Sequence, residues 1–165
     1  YLQMIFQDAI TSFDPRLKIE ESIMEAAMPS VTREQLEYVT SRLGLDKKLL
    51  SKKPNLLSGG QCQRMSIARA LLSGASILLC DEITSALDVV SQSQIVEIIK
   101  NMKELSKVSI IFVSHDIALV STICDEIVVM HNGKVVETGN ADSIINNPRE
   151  EYSKNLIESA KTHSL

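Results

Sequence analysis

The apolar run Ile77-Leu78-Leu79-Cys80 and the two carboxylates that follow it, Asp81 and Glu82, constrain the fold of this chain most strongly. A short, continuous apolar run without polar alternation is typical of a parallel strand covered on both faces. In open α/β sheets, ligands bind outside the carboxyl ends of the parallel strands. The sequence therefore predicts a buried strand that presents two acidic side chains at a ligand-binding edge.

Further apolar runs alternate with capped, helix-like segments along the chain. We predict strands over residues 2–6, 109–113 and 127–130, and helices over residues 19–28, 33–43, 58–73, 89–105 and 117–124. Asn132-Gly133 is a two-residue hairpin turn, so residues 134–138 should pair antiparallel with the strand before it. Residues 46–55 should form a loop, and the residues after Pro148 a helix. This alternation predicts an α/β fold with a mostly parallel sheet flanked by helices.

The composition excludes several classes of protein. A chain of 165 residues is long enough for one domain with a core. Its net charge of −4 is opposite to the basic surface of a nucleic-acid-binding protein. No apolar run approaches the roughly 20 residues that a membrane span needs, and we expect no signal peptide. Because the chain begins at Tyr1, inside an apolar stretch, we expect it to be a piece of a longer protein.

The cysteine and histidine residues give no pattern of a structural metal site. Cys62, Cys80 and Cys124 lack disulfide or metal-ligand spacing, so we expect free thiols in a reducing cytosol. His131 is expected to be a hairpin residue and His163 part of the tail. These residues therefore suggest no chemistry of their own.

Ser58, Gly59, Gly60 and Gln61 open the predicted helix over residues 58–73. Paired glycines let a backbone approach a bulky anion, and the free N–H groups and the positive end of a helix favour negative charge there. A lone Ser-Gly-Gly is more often an ordinary helix N-cap. The phosphate-cradling loop G-x-x-x-x-G-K-[ST], which should accompany such a site, does not occur in the chain.

Three longer stretches resemble motifs of the ABC (ATP-binding cassette) ATPases. Residues 57–71 closely resemble the signature motif of this family, and residues 77–82 its Walker B motif. Residues 85–88 resemble the D-loop that follows, although Ile83 stands where the family usually has Pro. His115, after Val113-Ser114, resembles the switch histidine that contacts the γ-phosphate. The resemblance extends over essentially the whole chain.

The first strand is followed by a glutamine that resembles the Q-loop glutamine of the same family. The resemblance implies that Gln7 and Asp81 hold Mg²⁺ and that Gln7 also reaches the attacking water. It implies further that Glu82 is the general base and that His115 steadies the transition state. It also implies that a wider set of residues contacts ATP, and that the γ-phosphate is held across the interface of a dimer. That set comprises Ser58, Gly59, Gly60, Gln61 and Asp88.

The resemblance implies a fold and a domain organisation. The expected fold is a partial P-loop NTPase fold of the ABC ATPase type, without its Walker A part. Residues 8–73 would form a helical subdomain that carries the signature motif, and residues 74–140 a catalytic sheet with the Walker B motif and the switch histidine. Residues 141–165 would form a C-terminal extension.

Two segments resemble one subfamily, the importers of peptides and nickel. They are Gln7-Asp8 with Ser12-Phe13-Asp14-Pro15, and the tail that begins at Asn147-Pro148. The implied function is an ATPase subunit that powers import of oligopeptides, nickel or metal–chelator complexes, from the cytoplasmic face of the membrane. The implied partners are a second, identical or paralogous ATPase subunit, membrane permease subunits and, indirectly, a solute-binding protein. Residues 8–21 would contact the permease, and no iron–sulfur cluster or nucleic acid is expected.

Two other functions stay open. The first is a non-transport ABC ATPase that acts on DNA or ribosomes, against which the lack of a basic surface argues. The second is an interaction piece without activity of its own, because the missing Walker A part would leave strand edges unpaired and apolar surface bare. We therefore expect the isolated chain to bind ATP poorly and to be prone to dimerise or repack.

Overall fold

The computed structural model describes residues 1–85, 87–105 and 108–162 of the chain. The strands are β1 (Leu2–Ile5), β2 (Ile77–Asp81), β3 (Ser109–Val113), β4 (Glu126–His131) and β5 (Lys134–Asn140). The α-helices are α1 (Ile19–Ala26), α2 (Arg33–Arg42), α3 (Gly59–Leu72), α4 (Val89–Leu105), α5 (Ile117–Ile123), α6 (Ala141–Asn146) and α7 (Glu151–Thr162). The elements form two compact units, of which the first ends at Val113 and the second begins at Ser114.

The first unit contains a three-stranded parallel sheet in the order β1-β2-β3. Leu79, in the central strand, pairs with Met4 of β1 and with Ile111 of β3. Leu78 and Cys80 of β2 are buried, as a strand covered on both faces requires. The predicted α/β fold with a parallel sheet is confirmed.

The helix α3 lies at the centre of the helical layer in this unit. It contacts α1, α2 and β1, and its Met65, Ile67 and Ala68 are almost completely buried. Burial of an aliphatic side chain of this size stabilises a fold by roughly 1.5–3 kcal/mol. The helix ends near the predicted residue 73, and Gly74, just beyond its C-cap, has φ 76. The core of the first unit therefore fixes the helix that begins at the Ser58 loop.

The prediction of a loop over residues 46–55 is wrong. Lys47–Ser51 and Pro54–Leu56 form two short 3₁₀ helices. The Asp46 side chain accepts a hydrogen bond from the N–H of Lys48, and Leu49 and Leu50 are buried, so this polar stretch is anchored to the core. The sequence prediction also omitted α6, whose first turn is capped by the Asn140 side chain.

An edge of the three-stranded sheet lacks a neighbouring strand, as expected from the absent Walker A part. Within the described part of the chain, β3 pairs only with β2. Ile111 and Val113 on β3 are 49% and 43% exposed, respectively. The free strand edge and the bare apolar side chains are thus confirmed for β3.

The second unit is built on an antiparallel hairpin of β4 and β5. Asn132 and Gly133 form its turn with φ values of 49 and 74, so the predicted turn is confirmed. The helix α7 lies against this hairpin: Tyr152 stacks on His131 with ring centroids 4.0 Å apart. His163 lies outside the described residues. None of the helices in residues 1–85, 87–105 and 108–162 combines the length and apolar character needed to traverse a bilayer.

Candidate functional site

Asp81 and Glu82 lie half-buried at the carboxyl end of β2, the edge at which the sequence predicts them. The N–H of Glu82 donates a hydrogen bond to the carbonyl of Val113 at 3.0 Å, which joins the ends of β2 and β3. Glu82 has φ 47, in the left-handed region. A non-glycine residue there costs of order 1–3 kcal/mol and persists only where its surroundings hold it. Such strain is found preferentially at active sites and ligand clamps.

Gln7 reaches from the end of β1 to the turn that follows β2. Its Nε2 donates a hydrogen bond to Oγ of Ser85 at 2.9 Å. The Ser85 hydroxyl donates in turn to the carbonyl oxygen of Glu82 at 2.9 Å. A chain of hydrogen bonds therefore connects the Gln7 amide to the backbone of the strained Glu82.

An open cavity of about 390 Å³ lies beside this hydrogen-bonded chain. Its lining residues are Phe6, Gln7, Asp8, Thr11, Ser12 and Asp81. The structure thus brings together the two residues that the sequence predicts as metal ligands, Gln7 and Asp81. It does not place the Ser58 loop in the lining of this cavity.

The donor set at this edge fits a magnesium ion. Mg²⁺ prefers oxygen ligands and is usually held by one or two carboxylates together with substrate phosphates. Asp81 offers a carboxylate, and Gln7 offers its amide oxygen because its Nε2 is bonded to Ser85. Among the described residues, no group of three or more His, Cys, Asp or Glu side chains could hold a metal. A site at Asp81 would therefore need oxygens from a bound phosphate.

The Ser58 loop forms a capping box at the start of α3. The Ser58 Oγ accepts a hydrogen bond from the N–H of Gln61 at 3.3 Å, and the Gln61 side chain accepts one from the N–H of Ser58 at 3.0 Å. A Cβ added at the exposed Gly59 would meet no described atom within 4 Å. This geometry is that of a helix N-cap, and it leaves the side of Gly59 open to a large anion.

Gly60 and Asp88 are connected through a third residue, Ser91. A Cβ added at Gly60 would lie 2.9 Å from Oγ and 3.3 Å from Cβ of Ser91. Asp88 accepts hydrogen bonds from the N–H and the hydroxyl of Ser91 at 2.9 and 2.8 Å, which lowers the pKa of its carboxyl. Asp88 thus caps α4, and the cap lies directly on the first turn of α3.

His115 lies in the second unit, two residues after the end of β3, and its side chain is exposed. The next residue, Asp116, accepts a hydrogen bond from the N–H of Leu119 at 3.0 Å and so caps α5. A histidine that precedes a helix cap is consistent with an ordinary surface residue as well as with the switch histidine. Its role stays a prediction.

Sequence reasoning did not single out three residues that hold this region together: Gln63, Arg69 and Ser91. Gln63 is only 1% exposed, and Arg69 is half-buried between α3 and the loop after β1. The signal of Gln63 and Arg69 is a long polar side chain within the apolar stripe of a helix, since such residues are rarely buried without partners. Ser91 has no comparable signal in the sequence.

The comparison with protein families decides the affiliation. A family model described as "ABC transporter" matches residues 1–85. The chain belongs to this family. Among curated proteins, the oligopeptide transport ATP-binding protein OppF of Salmonella typhimurium is 39% identical over 163 residues, which cover 94% of this chain and 49% of OppF.

Other members of the ABC transporter family give the same result. The oligopeptide transport ATP-binding protein OppD of Bacillus subtilis is 37% identical, over 96% of this chain and 47% of OppD. The dipeptide transport ATP-binding protein DppF of Escherichia coli is 33% identical, over 94% and 48%. The chain thus spans about half the length of the curated relatives that it matches.

The fold of this ABC transporter chain has a solved counterpart. CbiO1 of Clostridium perfringens, part of the ABC transporter complex CbiONQ, superposes with a TM-score of 0.78 over 99% of this chain and 67% of CbiO1. Their sequence identity is 24%, so this likeness concerns the fold. The ABC ATPase fold expected from the sequence is confirmed.

Proposed function

We propose that the protein to which this chain belongs is the ATP-hydrolysing subunit of an importer of oligopeptides. The observation that carries the proposal is the chain of hydrogen bonds from Gln7 through Ser85 to Glu82, beside the cavity that Asp81 lines. An amide, a candidate metal-binding carboxylate and a candidate base thus lie at one edge of the sheet, as phosphoryl transfer to water requires. The similarity to OppF, OppD and DppF supports oligopeptides as the cargo. Nickel and metal–chelator complexes are the other cargoes that the sequence suggests.

In the proposed mechanism, Glu82 accepts the proton of the water that attacks the γ-phosphate of ATP. General-base catalysis of this kind contributes about 10²–10⁴-fold to a rate. Gln7 orients the water, and Asp81 together with Gln7 would hold Mg²⁺, which neutralises phosphate charge when it is bound. His115 contacts the γ-phosphate and steadies the charge that develops there.

The Ser58 loop acts on an ATP molecule that the partner ATPase subunit holds. Ser58 and Gly59 bind its γ-phosphate through the hydroxyl and the first N–H groups of α3, where the helix dipole favours an anion. Gly60, Gln61 and Asp88 keep this loop in position. Two subunits, identical or paralogous, would thus enclose two ATP molecules.

The remaining partners follow from the same proposal. Residues 8–21 would contact membrane permease subunits, so that the protein acts at the cytoplasmic face of the membrane without spanning it. A solute-binding protein would deliver the peptide to the permease. Gln7 is the residue through which hydrolysis and the permease affect each other.

The test is Glu82→Gln in the complete protein. ATP turnover should fall by about 10²–10⁴-fold, while ATP binding is retained and an ATP-bound dimer accumulates. Glu126→Gln is the matched control, because Glu126 is an exposed carboxylate at the start of β4. Unchanged turnover in Glu82→Gln would remove Glu82 from the role of base.

The cargo is tested separately. The complete protein and its permease subunits are reconstituted in vesicles and offered a labelled oligopeptide or nickel. ATP-dependent uptake of the oligopeptide is expected. Uptake of nickel but not of the oligopeptide would contradict the proposed cargo. The absence of any uptake, together with stimulation of ATP hydrolysis by DNA or ribosomes, would contradict the proposed function.

A further inference from the structure

Arg69 contacts the loop that follows β1 through hydrogen bonds and through a cation–π contact. Its Nη1 donates to the carbonyl of Ser12 at 2.7 Å and its Nη2 to the Ser12 hydroxyl at 3.0 Å. The guanidinium carbon lies 4.4 Å from the ring centroid of Phe13, which is 3% exposed. Desolvation in this position lowers the pKa of Arg69. The planar group therefore forms two hydrogen bonds and a cation–π contact at once.

A second side chain of α3 holds the other end of the same loop. Gln63 donates from Nε2 to the carbonyl of Phe6 at 3.4 Å. We call residues 6–13 the Gln7 loop. Its two ends are thus bonded to α3, and between them Gln7 extends to Ser85. The loop also has its own turn, in which the Asp8 carboxylate accepts from the N–H groups of Ile10 and Thr11 at 3.1 and 3.3 Å.

The helix that makes these contacts begins at the Ser58 loop. An α-helix is stiff and rises about 1.5 Å per residue, so Arg69 lies roughly 15 Å along α3 from Gly59. If the N-terminus of α3 moves, Ser12 and Phe13 should therefore move with it. If the Gln7 loop moves, the N-terminus of α3 should move in turn. Both ends of this connection lie within the first unit.

We propose that Arg69 is a positioning residue that joins α3 to the Gln7 loop, so that the Ser58 loop and Gln7 move as one body. This inference rests on the proposed function for its consequence, which is coupling between hydrolysis and transport. Arg69 acts through its contacts with Ser12 and Phe13. Its contribution is to hold Gln7 in a fixed position relative to α3, the helix whose N-terminus meets the partner subunit's ATP.

The first test uses Arg69→Lys, which keeps the charge and loses the planar fork. The matched control is Arg33→Lys in α2, where the guanidinium is exposed and forms only surface ion pairs with Glu20 and Glu37. In reconstituted vesicles, the number of peptides imported per ATP hydrolysed should fall about fivefold in Arg69→Lys, with the ATP dissociation constant unchanged. A merely structural role would lower binding, hydrolysis and transport together and leave that ratio unchanged.

Either an unchanged ratio or a proportional loss of all three quantities would overturn the proposal. If the wild-type assembly imports no peptide, the proposed function fails, and a second measurement tests the connection by itself. In the complete protein, amide hydrogen exchange of residues 8–13 should become about tenfold faster in Arg69→Lys, because a bond to a charged group is lost. The amides of α1 should be unaffected. Equal exchange of residues 8–13 in the two proteins would refute the connection.

Discussion

Replacing Gly60 by Ala should destabilise the chain, whereas the same change at Gly59 should not. The two glycines are neighbours in the first turn of α3. The added methyl group at Gly59 meets no described atom within 4 Å, but at Gly60 it lies 2.9 Å from Oγ and 3.3 Å from Cβ of Ser91. The Ser91 hydroxyl is held by Asp88 at 2.8 Å, so it cannot rotate away without losing that bond. Comparison of Gly59→Ala with Gly60→Ala therefore separates the effect of packing against Ser91 from the effect of alanine on helix propensity.

The magnitude follows from two opposing terms. Alanine is favoured over glycine in a helix interior by up to about 1 kcal/mol, and by less in a first turn, so Gly59→Ala should be neutral or slightly stabilising. Overpacking a contact of this kind costs about 1–3 kcal/mol. Rotation of the Ser91 hydroxyl leaves its Cβ at 3.3 Å, so α3 and α4 must also move apart. We expect Gly60→Ala to lower the free energy of unfolding by about 1–2 kcal/mol.

Urea unfolding followed by far-ultraviolet circular dichroism measures the difference, because the chain contains no tryptophan. The midpoint should fall in Gly60→Ala with an unchanged slope. The double variant with Ser91→Ala should recover part of the loss, with an interaction energy of at least about 0.5 kcal/mol. Equal midpoints for Gly59→Ala and Gly60→Ala, or strictly additive effects of the Gly60 and Ser91 substitutions, would refute the reasoning.

Two further predictions concern stability. At Glu82, where φ is 47, the glycine variant should be more stable than the alanine variant by about 1 kcal/mol, the reverse of the usual order in helices. Urea unfolding of Glu82→Gly and Glu82→Ala measures this difference. A more stable alanine variant would contradict the prediction. The pKa of Glu137 is lowered by the Ser153 hydroxyl and then by the N–H of Arg149. The contribution of Glu137 to the free energy of unfolding is therefore present above the pKa of the unfolded state, near 4.5. It is lost as the pH falls through the lower pKa of the folded state. Thermal melts from pH 6 to about pH 2.5 should show a smaller decline in Glu137→Gln, and identical declines would exclude this carboxylate.

The local elements of the fold are readable from the sequence because their signals lie within one turn or strand. The helix α2 lies within residues 33–43, as predicted, and its N-cap Thr32 forms a capping box with Gln35. Gly44 follows the end of this helix with φ 68. The 3₁₀ helices were missed because they depend on distant contacts. The carbonyl of Lys52 accepts the N–H of Ile19 at 2.9 Å, a bond that no periodicity indicates.

The same distinction applies to the candidate site. Asp81 and Gln7 could be placed together because of the resemblance to the ABC ATPases. The structure places both in the lining of one cavity, where the carboxyl ends of neighbouring parallel strands share one edge. The contacts of Arg69 with Ser12 join residues 57 positions apart. Nothing in either local segment specifies such a pairing. The left-handed conformation of Glu82 was likewise not predicted, since a glutamate does not mark a positive φ.

The backbone of Glu82 is the point at which three strand ends are tied together, and this gives the strain at that residue a physical meaning. Its N–H is bonded to Val113 at the end of β3, and its carbonyl accepts from Ser85, which Gln7 holds from the end of β1. A residue in the left-handed region persists only where its surroundings hold it, so loss of either bond would weaken the restraint on Glu82. Movement of the Gln7 loop would therefore act on the backbone that carries the candidate base. The same hydrogen bonds that maintain the strain make the position of Glu82 dependent on Gln7.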